Sequence, residues 1–134
     1  MKFLLDTNTC IRHLNQRSPQ ISHHLLATPE SDITLCSIVK AELYTGALKS
    51  QQPQTTLAKQ RAFTSRFVSL PFDDHAADVY AGIRSALEKS GTPVGNNDMM
   101  IAAIALIHNL TLITHNLREF SRIPNLLIED WELS

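Results

Sequence analysis

No stretch of this sequence is long and apolar enough to cross a bilayer as a helix. The longest uninterrupted apolar run, residues 99–107, falls far short of the roughly 20 residues such a helix needs. A secretory leader pattern is also missing. The opening apolar residues Phe3, Leu4 and Leu5 are cut off by Asp6, and an acid does not belong in the apolar stretch of a signal peptide. The expectation is a cytoplasmic protein. Cysteine is scarce: Cys10 and Cys36 stand in neither a metal-type nor a redox-type spacing. Each lies in an apolar stretch, so both are expected as buried, reduced thiols. A basic surplus is lacking too. The net charge of −1 is unlike the positive balance that phosphate binding favours. That objection weakens if some acids are cation ligands, because setting four carboxylates aside leaves the rest of the chain positive. Bulk charge therefore neither selects nor excludes a nucleic acid.

What is present is enough for one ordinary domain. The 134 residues, 43% of them hydrophobic and 19% charged, allow a real core and exclude a disordered chain. There is no internal repeat and no low-complexity tract. The polar segment 50–54, with its Pro53, reads as a loop too short to separate domains, so residues 1–134 are expected to form a single unit.

Hydrophobic patterning alternates between strand and helix. Strands are predicted at residues 2–5, 33–37, 68–72, 111–114 and 126–128. Helices are predicted at 9–15, 22–27, 38–50 with Ser37 as N-cap, 55–67, 74–90 with Gly91 as C-cap, and 98–108. The last of these is apolar almost all round and should be central. Strands separated by helices argue for an α/β fold with a mostly parallel sheet covered on both faces. Ligands of such sheets bind beyond the carboxyl ends of the strands.

Four acids fall at that edge. Asp6 directly follows the first strand, and Glu42 lies near the start of the helix after the second. Asp98 opens the apolar helix, and Glu119 follows the strand at 111–114. Singly, each has an ordinary reading. Asp6 and Asp98 suit helix caps, Glu42 a solvated helix face, and Glu119 an exposed turn. Jointly they form a cluster whose repulsion must be offset, since two unit charges 4 Å apart repel by about 4 kcal/mol at an effective dielectric near 20. Divalent cations do this, and hard oxygen donors select Mg²⁺ or Mn²⁺. Phosphodiester hydrolysis is the chemistry such a centre supports. Arg12, Lys40, Lys49, Arg84, Arg118 and Arg122 are candidate phosphate contacts, with Lys40 and Arg118, nearest in sequence to the chosen acids, the first choices. The six histidines contain no pair at metal-ligand spacing, which argues against a histidine-based nuclease. His115, beside Asn116, is the one placed to face substrate. Trp131, Phe63, Phe67, Phe72 and Phe120 are expected in the core.

At these residues the sequence resembles the PIN-domain family and, more narrowly, the VapC toxins. Leu4-Leu5-Asp6-Thr7-Asn8 is similar to the family's first acidic motif, and Ser37 through Leu43 followed by Gly46 is similar to the second. The run from Gly91 through Pro93, Gly95 and Asp98 to Ala103 resembles the third. Leu112-Ile113-Thr114-His115-Asn116 with Glu119-Phe120-Ser121-Arg122-Ile123 resembles the fourth, and Glu129-Asp130-Trp131 the closing strand. The resemblance implies a five-stranded sheet in the order 3-2-1-4-5. It makes Asp6, Glu42 and Asp98 the active-site acids, with Asp6 and Asp98 as main metal ligands. Glu119 stands where the family often has Asp, and Thr114 and Asn116 hold ligands by hydrogen bonds. It also implies endonucleolytic cleavage of RNA, of tRNA and initiator tRNA in the members nearest in motif. A VapB-like antitoxin would neutralise the enzyme by threading an Arg or a helix into the pocket. Operator DNA would be contacted only through that antitoxin, and the toxin would be a homodimer. The apolar sides of the helices between residues 38 and 67 would serve as dimer face or antitoxin groove.

Two other readings fit the residues less well. A receiver domain phosphorylated on Asp needs a Lys on a late strand, and 111–114 and 126–128 carry none. An inactive PIN scaffold usually lacks a central acid, and here all three are present.

Overall fold

The computed structural model describes residues 1–133. Five parallel strands form one sheet in the order β3-β2-β1-β4-β5. They are β1 (Phe3–Leu5), β2 (Ile33–Cys36), β3 (Val68–Leu70), β4 (Thr111–Ile113) and β5 (Ile128–Glu129). The helices are α1 (Thr7–Leu14), α2 (Pro19–Ala27), α3 (Ser37–Leu48), α4 (Pro53–Thr64), α5 (Asp74–Ser90), α6 (Asn96–Ile107) and the short α7 (Leu117–Phe120). None of them is long and apolar enough to cross a membrane.

The sheet centre is dry. Leu4, Leu5, Leu35, Cys36, Leu112 and Ile113 have no exposed surface. Burying each Leu or Ile side chain stabilises the fold by about 1.5–3 kcal/mol. The polar exception, Thr34, satisfies its hydroxyl by donating to the Phe3 carbonyl (2.9 Å). β1 sits in the middle, and its ladder runs past both ends. Thr111 N–H donates to the Lys2 carbonyl (2.9 Å), and Asp6 N–H donates to the Ile113 carbonyl (3.0 Å). The second of these bonds matters most for function, because it fixes the backbone of Asp6 at the carboxyl edge of β4. Helix α6, whose Ile101 to Ala105 are wholly buried, packs against α5, α3 and β4. It runs back across the sheet and brings its N-terminus to the same edge. Both cysteines are buried free thiols, as expected.

Apart from the short α7, the order and types of the strands and α-helices match the sequence reading, with instructive shifts. Helix α1 begins two residues earlier than predicted because Asp6 itself is the N-cap, accepting from Thr9 N–H at 2.8 Å. Helices α2 and α4 both begin at a proline, Pro19 and Pro53. A first-turn proline lacks only an N–H that no helix would use, so the supposed loop at 50–54 is partly helix. Ser37 is not the cap of α3: Cys36 holds that position, and the Ser37 hydroxyl donates to the Leu70 carbonyl (3.3 Å) across the sheet. The last strand is Ile128–Glu129 rather than 126–128, pinned by Thr114 N–H donating to the Glu129 carbonyl (3.0 Å). Helix α7 falls where the sequence pattern predicted no helix.

Helix α5 matches its predicted bounds because both ends are chemically marked. Asp73 accepts from Ala76 N–H (2.9 Å) at the start, and Gly91 at φ 69° closes the end. A Cβ at Gly91 would meet nothing within 4 Å, so its cost is purely conformational. Gly82, in the exposed middle of the same helix, is equally unobstructed. We expect Gly91→Ala to destabilise by about 1 kcal/mol and Gly82→Ala to stabilise by about 0.5–1 kcal/mol, measured by urea unfolding.

Candidate active site

The four acids do arrive at one edge, each through a different element. Asp6 ends β1 and caps α1, where it is 6% exposed. Asp98 lies in the first turn of α6 behind Gly95, the cap residue; Asn96 and Asn97 lie inside the helix rather than capping it. Glu42 projects from α3, and Glu119 from α7, which follows β4. Their proximity shows in their acidities. Burial, then the charges of Glu42, Asp6 and Glu119, push the Asp98 carboxyl up to about 6. Burial also raises Asp6, with Glu42 adding to it, while hydrogen bonds from Thr114 and Thr9 pull the other way.

Polar neighbours set the orientation of the acids. Glu42 accepts from the Thr7 hydroxyl at 2.5 Å through one oxygen and from Asn97 Nδ2 at 3.3 Å through the other. The starts of α1 and α6 thus grip the same carboxylate. Asn116 Nδ2 donates to Glu119 at 3.1 Å, and Asn116 N–H donates to the buried Thr114 hydroxyl at 3.0 Å. Thr114 and Asn116 therefore sit where sequence placed them. Thr7 and Asn97 were not singled out, though each adjoins a chosen acid. Lys40 is half-buried on α3 and Arg118 is exposed on α7.

A cavity of about 490 Å³ opens on one side of the acids, lined by Asp6, Asn8, Arg12, His115, Asn116 and Glu132. A separate cleft of about 410 Å³ includes Glu42, Asn97 and Lys49. Arg12, six residues past Asp6, was among the candidate phosphate contacts; Asp130 and Glu132 were not singled out as site residues, because neither lies in one of the four acidic motifs. Asp130 and Glu132 belong to the segment after β5.

The donor set fits a hard divalent cation. Among the described residues no Lys, Arg or His forms an ion pair with Asp6, Glu42, Asp98 or Glu119. Carboxylates crowded without a cationic partner, two of them with raised pKa, are stabilised by an oxygen-seeking metal. A second grouping, His115, Asp130 and Glu132, has ligand atoms all within 4.8 Å of one another. It differs in carrying its own cation, Arg12, whose Nε lies 2.5 Å from Glu132.

The raised pKa of Asp98 has a testable sign. Asp98 binds its proton in the folded chain up to about pH 6, against 3.8 as its ordinary value. Between those values the folded state holds the extra proton, so stability falls as pH rises. Asp98→Asn removes this penalty. In EDTA, its Tm should exceed that of the parent at pH 7.5, and the gap should close by pH 4, read by differential scanning fluorimetry.

The PIN domain family matches residues 3–126 of the chain. The chain is 38% identical over 133 residues to ribonuclease VapC2 of Rickettsia felis, covering 98% of this chain and 99% of that protein. It is 43% identical over 131 residues to the tRNA(fMet)-specific endonuclease VapC of Salmonella typhimurium, covering 98% of each. Among solved structures it resembles DNA-bound VapBC from Salmonella typhimurium, with a TM-score of 0.92 at 43% identity over 98% of both chains. It also resembles VapBC2 from Rickettsia felis bound to a promoter DNA fragment, with a TM-score of 0.88 at 38% identity over 98% and 99% of the two chains. With the parallel sheet in the order 3-2-1-4-5 and four acids gathered at its carboxyl edge, the chain belongs to the PIN domain family and, within it, to the VapC ribonucleases.

Proposed function

We propose that this chain is a divalent-metal-dependent endoribonuclease, the toxin of a toxin–antitoxin pair, acting on tRNA and on initiator tRNA in particular. The observation that carries the reading is the cation-free carboxylate cluster at the end of β1. Full-length similarity to named ribonucleases, one of them tRNA(fMet)-specific, supports both the reaction and the substrate. The whole chain acts as one catalytic unit in the cytoplasm, as a homodimer.

Asp6 and Asp98 are the residues we assign to hold Mg²⁺ or Mn²⁺. When bound there, the cation supplies positive charge to the scissile phosphate and activates a water. Glu42, gripped by Thr7 and Asn97, completes the acidic pocket and keeps a fixed acceptor beside it. Glu119, steadied by Asn116, extends one methylene further than an Asp and positions water at the far side. Thr114 restrains Asp6 from behind. Lys40 and Arg118 are assigned to outer phosphates of the RNA. Hydrolysis in line leaves a 5′-phosphate and a 3′-hydroxyl.

The antitoxin site is a groove of about 350 Å³ between α1, α3 and α4, with Ile11, Leu14, Leu43 and Ala47 as its apolar lining and Glu42 at its margin. Gln60 lines it too, and its Oε1 is buried with no hydrogen-bond partner. A bare buried carbonyl costs about 1–3 kcal/mol, which a donor from a docked segment would recover. VapBC assemblies are among the structures this chain resembles. Operator DNA is reached only through the antitoxin.

Two outcomes are expected. Purified protein should cut a total tRNA pool into discrete fragments with Mg²⁺ or Mn²⁺, and the fragments should vanish with EDTA or with Asp98→Asn. No cleavage by folded, antitoxin-free protein would shift the reading to another RNA, and then to an inactive binding scaffold. Leu14→Arg should weaken antitoxin affinity more than tenfold by calorimetry, so that the variant still cuts RNA at antitoxin levels that silence the parent.

A further inference from the structure

We propose that Arg12 and His115 form a phosphate-binding subsite for the RNA strand on one flank of the four acids, braced from behind by Asp130 and Glu132. This rests on the nuclease reading and names how the strand is held beside the reacting bond.

An RNA backbone approaching four carboxylates meets repulsion at every phosphate except the one a cation neutralises. Binding of the neighbouring nucleotides needs positive charge within one or two phosphates of Asp6. The cavity of about 490 Å³ that shares Asp6 contains two such groups, Arg12 and His115. Its volume lies in the roughly 300–1,000 Å³ range of small-ligand clefts. Asn8 and Asn116 add neutral polar side chains to the same wall.

Both donors are preset. Arg12 donates through Nε to Glu132 Oε1 at 2.5 Å, and one terminal nitrogen leans on the Arg17 carbonyl at 3.4 Å. Each terminal nitrogen carries two hydrogens, so a guanidinium tied at Nε, and at Nη2 by one long bond, still has one N–H from each terminal nitrogen for a forked contact with a phosphate. His115 is tied through Nδ1 to Asp130 at 2.7 Å, which leaves Nε2 for a ligand. The bracing segment is itself ordered, since Glu132 N–H donates to the other Asp130 oxygen at 2.9 Å. Depth separates the charges. The side chains of Asp130 and Glu132 are 3% and 13% exposed, those of His115 and Arg12 65% and 44%. The anions lie behind and the cations face solvent. The charged groups facing His115 are Asp130 and Glu132, which raise its pKa, and Arg12, which lowers it; the net shift is upward. The imidazole therefore stays a cationic donor to higher pH than a free one. The same trio is a weak metal site by comparison, because a metal ion at Glu132 would sit against the Arg12 guanidinium.

The test uses full-length Arg12→Gln, Arg12→Lys and His115→Gln, with fluorescein-labelled tRNA followed by anisotropy in EDTA across a salt series. Cleavage kinetics are run in parallel. Arg12→Gln and His115→Gln should each weaken binding three- to tenfold and flatten the slope of log K against log salt by about 0.7 per lost phosphate contact. In cleavage, kcat/KM should fall through KM. Arg12→Lys should recover part of the loss. Unchanged affinity and salt slope in both neutral variants would overturn the subsite, as would a fall in kcat alone or loss of Mn²⁺ binding in His115→Gln. The two readings separate cleanly. RNA binding that depends on Arg12 and His115 without any cleavage by the parent keeps the subsite and sinks the nuclease. Cleavage with unaltered KM in both variants does the reverse.

Discussion

Mutual repulsion among Asp6, Glu42, Asp98 and Glu119 is the cost around which the rest of this fold is arranged. Asp98 feels the charges of Glu42, Asp6 and Glu119, and Asp6 that of Glu42, and no basic side chain among the described residues forms an ion pair with any of the four. Four carboxylates stay together only because each is held by something rigid. Asp6 is locked by a ladder bond to β4 and by its own cap to α1. Asp98 is locked in the first turn of the most buried helix, and Glu42 is gripped by two helix starts. Burial first, and the neighbouring carboxylates after it, raise the pKa of Asp98 and Asp6, an environment that a divalent cation relieves.

The location follows from strand order. With β1 central, the chain leaves to β2 and β3 on one side and returns to β4 and β5 on the other. Connections therefore diverge at the carboxyl ends of β1 and β4, and a crevice opens there. Helix α6 precedes β4 and runs against it, so its N-terminus meets that crevice and brings Asp98 with it. The segment after β5 closes one flank. Through Asp130 and Glu132 it carries acids to the site, but it spends them on His115 and Arg12, so that flank presents cations while the centre presents anions.

Strand positions, helix positions and the four acids were legible because they are written locally. An apolar run ending in Asp6, an Asp73 cap and a Gly91 stop are signals within a few residues of what they specify. The misplaced starts of α2 and α4 had a local signal as well: a proline reads as a loop unless it is recognised at a helix's first turn. What could not be read was pairing between distant elements. Thr7 with Glu42, Arg12 with Glu132 and His115 with Asp130 span from 15 to 120 positions. Nothing in a single sequence marks such partners, since a threonine beside a cap and acids in a C-terminal tail look like ordinary surface. Lys40 and Arg118 were chosen by closeness in sequence, and neither lines the cavity beside Asp6.

The central claim is that Asp6 and Asp98 create the cation site. Mn²⁺ binding followed by electron paramagnetic resonance tests it directly, in the parent, in Asp6→Asn, Asp98→Asn and in a His115→Gln control. The account predicts saturable binding in the parent that either Asn variant weakens at least tenfold and that His115→Gln leaves unchanged. Binding that survives both Asn variants but is lost with His115→Gln would place the metal at the other cluster and contradict the account.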